Sequence, residues 1–117
     1  MRALIAAVVV IAALAAVSAS AAKTVLKGTV GPGFTIKLTN AAGKPVKTLK
    51  AGTYAFKVSD RSGIHNFHLV GPGVNKELTS VGFVGTKTVP VTLKAGKYVY
   101  QCDPHSGDMK ASFIVTR

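Results

Sequence analysis

This 117-residue chain has a single cysteine, few carboxylates and little helical periodicity, and each scarcity excludes something. A single cysteine, Cys102, cannot close an internal disulfide, so no disulfide framework holds the fold. Asp60, Glu77, Asp103 and Asp108 are the only acids, too few and too scattered to build an acidic patch. The lysines stand singly along the chain, with no basic cluster interleaved with aromatics, which argues against a nucleic-acid surface. No stretch of useful length after residue 22 repeats its apolar residues at helical spacing, so strands must carry the core.

What is present begins with a targeting pattern. Met1-Arg2 is a short positive start and Ala3 to Val17 an unbroken apolar run. Val17-Ser18-Ala19 and Ala19-Ser20-Ala21 are small-residue triplets of the kind a signal peptidase accepts. Residues 1–22 therefore read as a secretory signal, which sends the protein to the periplasm, the cell surface or the extracellular space. An uncleaved anchor is the alternative, because the serines and alanines after Val17 could lengthen the run toward the roughly 20 residues a span needs. Membrane contact is expected only in that case. Residues 23–117 are one domain's worth of chain. They carry fourteen Lys and Arg against four Asp and Glu, a formal net charge of +10. Such a balance draws in acidic partners or anionic surfaces; the plainer reading puts the lysines on turns and solvent faces. A monomer is the default.

Alternating apolar and polar residues predict strands at Thr24–Val30, Phe34–Leu38, Tyr54–Val58, His65–Leu69, Val89–Leu93, Tyr98–Cys102 and Ser112–Val115. Turn signals separate them, among them Gly31-Pro32-Gly33, Gly43-Lys44-Pro45, Gly71-Pro72-Gly73 and Ser106-Gly107. Many short strands at this spacing predict an all-β antiparallel sandwich or barrel. Pro90 cannot donate to a ladder, so its strand belongs at an edge or a bulge. Two internal echoes, Thr48 to Phe56 with Thr92 to Tyr100 and Val30 to Gly33 with Val70 to Gly73, suggest one corner used twice.

A lone cysteine in an oxidising compartment is either a bridge to another chain or a functional thiol. Cys102, His105 and Met109 lie within eight residues, so one loop can bring all three to one point. A thiolate, an imidazole and a thioether form a soft to borderline donor set suited to copper, and a second histidine would complete the arrangement. Zinc is the chemical rival, although structural zinc sites usually repeat the cysteine. In Tyr98 to Cys102 the pleat puts Tyr98, Tyr100 and Cys102 on one face. In His65 to Leu69 it puts His65 with Phe67 and Leu69, the apolar face, which points His65 inward and His68 outward.

The segments "GIHNFHLVGPGV" and "AGKYVYQCDPHSGDMKASFIV" resemble the cupredoxin family, in its plastocyanin, pseudoazurin and amicyanin branch. The resemblance implies a Greek-key β-sandwich of about seven to eight strands holding one type 1 (blue) copper ion. It also implies single-electron transport rather than enzymatic turnover. By the same resemblance His65, Cys102, His105 and Met109 are the metal ligands, and Asn66 ties its strand to the loop near Asp103. Three residues, Ser106 to Asp108, separate His105 from Met109, fewer than in plastocyanin and more than in amicyanin. Gln101 stands where plastocyanins carry a docking tyrosine.

The leading expectation is an exported electron carrier that meets redox partner proteins with acidic docking surfaces, using the imidazole edge of His105. Gly31-Pro32-Gly33 and Gly71-Pro72-Gly73 are candidates for an apolar rim around it. The alternatives are copper storage or delivery without redox turnover, a Cys–His nucleophile, or a buried inert thiol beside a methionine that only fills the core.

Overall fold

A computed structural model describes residues 23–117. Alternation builds its strands. In β1 (Thr24–Val30), Leu26 and Val30 are buried while Lys27 and Thr29 face outward. In β4 (Gly52–Asp60), Phe56 and Val58 are buried around an exposed Lys57. With β2 (Ile36–Thr39) and β7 (Gly85–Leu93) these form a four-stranded sheet in the order β2-β1-β4-β7. The second sheet contains β3 (Thr48–Lys50), β5 (Phe67–Gly71), β6 (Val74–Thr79), β8 (Gly96–Gln101) and β9 (Lys110–Thr116), in the order β3-β9-β8-β5-β6. Parallel pairings, β1 with β4 and β3 with β9, sit among antiparallel ones. The sheets are thus mixed rather than purely antiparallel.

One apolar core lies between the sheets. Leu26, Val30, Phe56 and Val58 from the first meet Phe67, Leu69, Tyr98, Phe113 and Val115 from the second, all nearly inaccessible to water. Phe67 stacks on Tyr100 with centroids 5.3 Å apart, and Tyr98 on Phe113 at 5.4 Å. Aromatic pairs of this kind add about 0.5–1.5 kcal/mol each beyond the area they bury. Cys102 and Met109 belong to the same cluster, so the thiol and the thioether lie at one end of the core.

Both sequence echoes have structural counterparts. After Lys50 the chain leaves the second sheet for β4, and after Leu93 it leaves the first sheet for β8. At each crossing a tyrosine hydroxyl donates back to the carbonyl four residues earlier: Tyr54 to Lys50 at 2.6 Å, Tyr98 to Lys94 at 3.0 Å. The corner is the same, run in opposite directions between sheets. In the Val-Gly-Pro-Gly pair, the first glycine makes room for a ring. A Cβ on Gly31 would stand 3.2 Å from His65 Cδ2, and one on Gly71 would fall inside the Tyr98 ring.

Nine strands stand where seven to eight were expected, and the two that alternation missed, β3 and β6, are the two edges of the five-stranded sheet. An edge strand can be short and polar. β6 exposes Asn75, Lys76 and Glu77 in succession, and β3 has three residues. Pro90 lies on the edge strand β7, as its missing N–H requires. Several boundaries differ from expectation: β4, β7 and β9 run longer than alternation predicted, and Cys102 lies just past the end of β8. Phe34 lies in the loop before β2, and His65 and Asn66 lie in the turn that precedes β5.

Gly71→Ala is expected to lower stability by roughly 1–3 kcal/mol, the usual cost of overpacking, because Tyr98 is fully buried and its hydroxyl is tied to Lys94 and Pro72. Gly107→Ala, where a Cβ meets nothing within 4 Å, is the control. Urea unfolding midpoints of the two variants check it.

Candidate metal centre

The chain reaches Cys102 just past the end of β8 and turns back at once. Asp103–His105 form a single 3-10 turn with Pro104 inside it, where a missing N–H costs nothing. The His105 amide donates to the Cys102 carbonyl at 3.1 Å and the Met109 amide to the His105 carbonyl at 2.8 Å. The Cys102 amide closes the loop on the Met109 carbonyl at 3.0 Å. Cys102 and Met109, seven residues apart, are thus clamped side by side, both fully buried, with His105 on the loop between them.

His65 arrives from the opposite side. Its amide donates to the Ser62 carbonyl at 3.3 Å, which holds it at the tip of the turn after β4. Its Nε2 lies 3.0 Å from the Gly33 carbonyl. A carbonyl only accepts, so Nε2 carries the proton and a neutral ring presents a bare lone pair at Nδ1. That Nδ1 lies 3.2 Å from His105 Nδ1, and both stand 3.6 Å from Cys102 Sγ. Among the described residues, His65, Cys102 and His105 are the histidine, cysteine and acidic side chains grouped closely enough to share a metal ion.

The donor set can be tested for fit. For a triangle with sides of 3.2, 3.6 and 3.6 Å, the point equidistant from the corners lies about 2.0 Å from each. Metal bonds to imidazole nitrogen and thiolate sulfur run roughly 2.0–2.3 Å. Two imidazoles, one thiolate and a buried thioether on the same loop are the chemistry of a type 1 copper site. The residues fit.

Around this triangle lies a second layer that the sequence revealed only in part. Asn66 is fully buried, whereas strict alternation would set it outward with His68; the strand begins one residue later, so the pleat does not reach it. Its Nδ2 donates to Asp103 Oδ2 at 2.9 Å and to Glu77 Oε2 at 3.2 Å, and its Oδ1 accepts from the Asp103 amide at 2.7 Å. The expected tie between the histidine segment and the loop is present. His68 does face outward, but not idly: its Nδ1 lies 3.0 Å from both Asp103 carboxylate oxygens and its Nε2 faces Asn75 Oδ1. Phe34 packs edge-on against both rings, 5.5 Å from His65 and 4.9 Å from His105 between centroids, and remains 58% exposed. Its only signal in the sequence was an aromatic next to Gly31-Pro32-Gly33. That glycine-proline loop borders the site. Gly71-Pro72-Gly73 does not: it joins β5 to β6 and packs on Gly96 and Tyr98, at the end of β8 remote from Cys102.

Two charged groups are shifted. Burial works against the charged form of His68, but hydrogen bonds to Asn75 and Asp103 and the charges of Asp103 and Glu77 outweigh it and raise its pKa. Burial likewise opposes the Asp103 anion, yet hydrogen bonds from Gln101, Asn66 and His68 hold its pKa below the usual carboxylate value.

Two facing mixed sheets with a Cys-x-x-His turn between the last two strands make the cupredoxin fold, and this chain has it. Copper proteins are among the solved structures it resembles. One is a rusticyanin (TM-score 0.58, 18% identity, covering 79% of this chain and 76% of that one). Another is the rusticyanin of Thiobacillus ferrooxidans (TM-score 0.54, 21% identity, 79% and 76%). A methionine-to-glutamine variant of amicyanin with Cu(I) follows the same path (TM-score 0.53, 18% identity, 84% and 88%). No family model matches the chain, and no curated protein matches its sequence.

A raised histidine pKa stabilises the fold fully below the unfolded value of about 6.5 and loses that contribution as pH rises through the folded value. Wild type is therefore expected to lose stability relative to His68→Gln as pH rises from below about 6.5 through the raised folded value, read as the difference in urea midpoints. A constant difference across that range contradicts the pairing.

Proposed function

We propose that the protein is an exported type 1 copper protein that carries single electrons between redox partners, with His65, Cys102, His105 and Met109 as the ligands of one ion. The observation that carries this reading is the triangle of Cys102 Sγ and two imidazole Nδ1 atoms, with sides of 3.2–3.6 Å. Copper held there supplies a one-electron change between Cu(I) and Cu(II).

The chain's own residues supply the rest. The Gly33 carbonyl fixes the His65 tautomer, as partners of metal-bound histidines do. The clamped Cys102–Met109 loop keeps thiolate, imidazole and thioether in place, so little rearranges when the charge at the site changes. Full burial of His65, Cys102 and Met109 excludes water and favours the ion of lower charge. His105 is only half-buried and its ring offers the short route from the core to a partner. Burial of three ligands also argues against a delivery role, which needs open access for hand-over.

No enzymatic step is assigned. A Cys–His nucleophile needs a third group orienting the base. The carboxylate that follows Cys102 in the chain, Asp103, is bonded instead to His68, Asn66 and Gln101. Residues 1–22 serve as the export signal and 23–117 as the working domain, a monomer whose partners lie in the periplasm or at the cell surface. Among the described residues no helix is long and apolar enough to cross a membrane. The net charge of +10 on residues 23–117 selects partners with acidic docking surfaces, and Phe34 supplies exposed apolar surface beside His105.

Cu(II) added to the purified protein is expected to give an intense visible absorption. It should vanish in Cys102→Ala and in His65→Ala and persist in His68→Ala at saturating metal. A colourless wild type overturns the reading. Electron exchange with an acidic redox protein should slow as salt rises; a colour that no reductant discharges points to storage instead.

A further inference from the structure

His68 binds no metal in the reading above, yet it is the hub of a polar network on the outer face of β5. We propose that His68 is a positioning residue for the metal loop, acting through the carboxylate of Asp103. This rests on the ligand assignment of the preceding section.

Asp103 follows Cys102 directly and opens the turn that carries His105, while Asn66 follows His65 directly. The Asn66–Asp103 pair, joined by two hydrogen bonds at 2.7 and 2.9 Å, therefore couples the two arms of the site. The backbone amide of Asp103 makes the shorter bond, and the second forms only if the carboxylate keeps one oxygen on Asn66. Oδ1 is occupied by Gln101 Nε2 at 2.9 Å and Oδ2 by Asn66 Nδ2. His68 Nδ1 bridges both oxygens at 3.0 Å and so fixes the rotation of the group. His68 is in turn held from the neighbouring strand, where Nε2 faces Asn75 Oδ1. Both ring nitrogens face acceptors and both donate, which is the hydrogen-bonding pattern of the charged ring.

Position makes the bridge necessary. The Asp103 side chain is 39% exposed, against 23% for His68. Released from His68, the carboxylate is free to turn toward solvent and leave the Asn66 amide to Glu77 alone. A β-bulge between Phe67 and His68 shifts the pairing with β6, opposing His68 to Glu77 and bringing Asn75 within reach of its ring. Bulges re-aim side chains in this way beside working sites.

The test combines His68→Phe, His68→Gln, Asp103→Asn and the double variant His68→Phe/Asp103→Asn. Each is measured for copper affinity by competition with a chelator, for global unfolding, and for hydrogen exchange of the Asp103 amide in the metal-free protein. Loss of a group that orients metal ligands typically costs about 10–100-fold in affinity. His68→Phe is expected to lose that much, Asp103→Asn a similar amount, and the double variant no more than Asp103→Asn alone, since the two act as one unit. His68→Gln, whose amide still donates, should recover most of the loss. In metal-free His68→Phe the Asp103 amide should exchange faster by more than the fall in the global unfolding midpoint accounts for. Wild-type affinity in His68→Phe, or losses that multiply in the double variant, overturn the proposal. A wild type that binds no copper overturns the ligand assignment instead, and the exchange measurement still decides whether His68 holds Asp103.

Discussion

Two imidazole nitrogens 3.2 Å apart, facing one another beside a buried thiol, form the contact on which the rest of the structure depends. With a proton on Nε2 facing the Gly33 carbonyl, His65 turns its Nδ1 toward His105 and the Cys102 sulfur. Buried polar atoms want a partner, and an unmet one costs roughly 1–3 kcal/mol. Three such atoms here share one small space and one need. A cation at the centre of the triangle meets all of it, since every donor then faces positive charge. The protein's other features read as the means of holding three such atoms together.

A sandwich suits that task because its two sheets deliver the ligands from opposite directions. β4 ends in the turn that presents His65, and β8 ends one residue before Cys102, so strands from different sheets converge at one end of the core. The paired tyrosine corners, Tyr54 to Lys50 and Tyr98 to Lys94, fix where the chain crosses between sheets. The stacked pairs Phe67–Tyr100 and Tyr98–Phe113 then fill the interior below the site. Rigidity follows from packing of this density, and a site that must not rearrange needs it.

How much of this could be read from the chain alone depended on where physics writes itself locally. Cys102, His105 and Met109 were legible because eight consecutive residues carry three unlike soft donors. Tyr98 and Tyr100 were legible as core because the pleat extends through β8. The burial of His65 was anticipated by extending that alternation into a turn, and the same extension misplaced Asn66. β3 and β6 escaped notice because an edge strand needs no apolar alternation. Phe34, the Gly33 carbonyl and the His68–Asp103 pair were invisible for a different reason. Each depends on a contact between residues more than 30 positions apart, which no local pattern records.

The central claim concerns which atoms surround the ion, and X-ray absorption at the copper edge of the metal-loaded protein reads that shell directly. The account predicts one sulfur at short bonding distance with two imidazole nitrogens, and loss of that sulfur in Cys102→Ser. A shell of oxygen and nitrogen alone in the wild type, or a sulfur that survives the substitution, contradicts it.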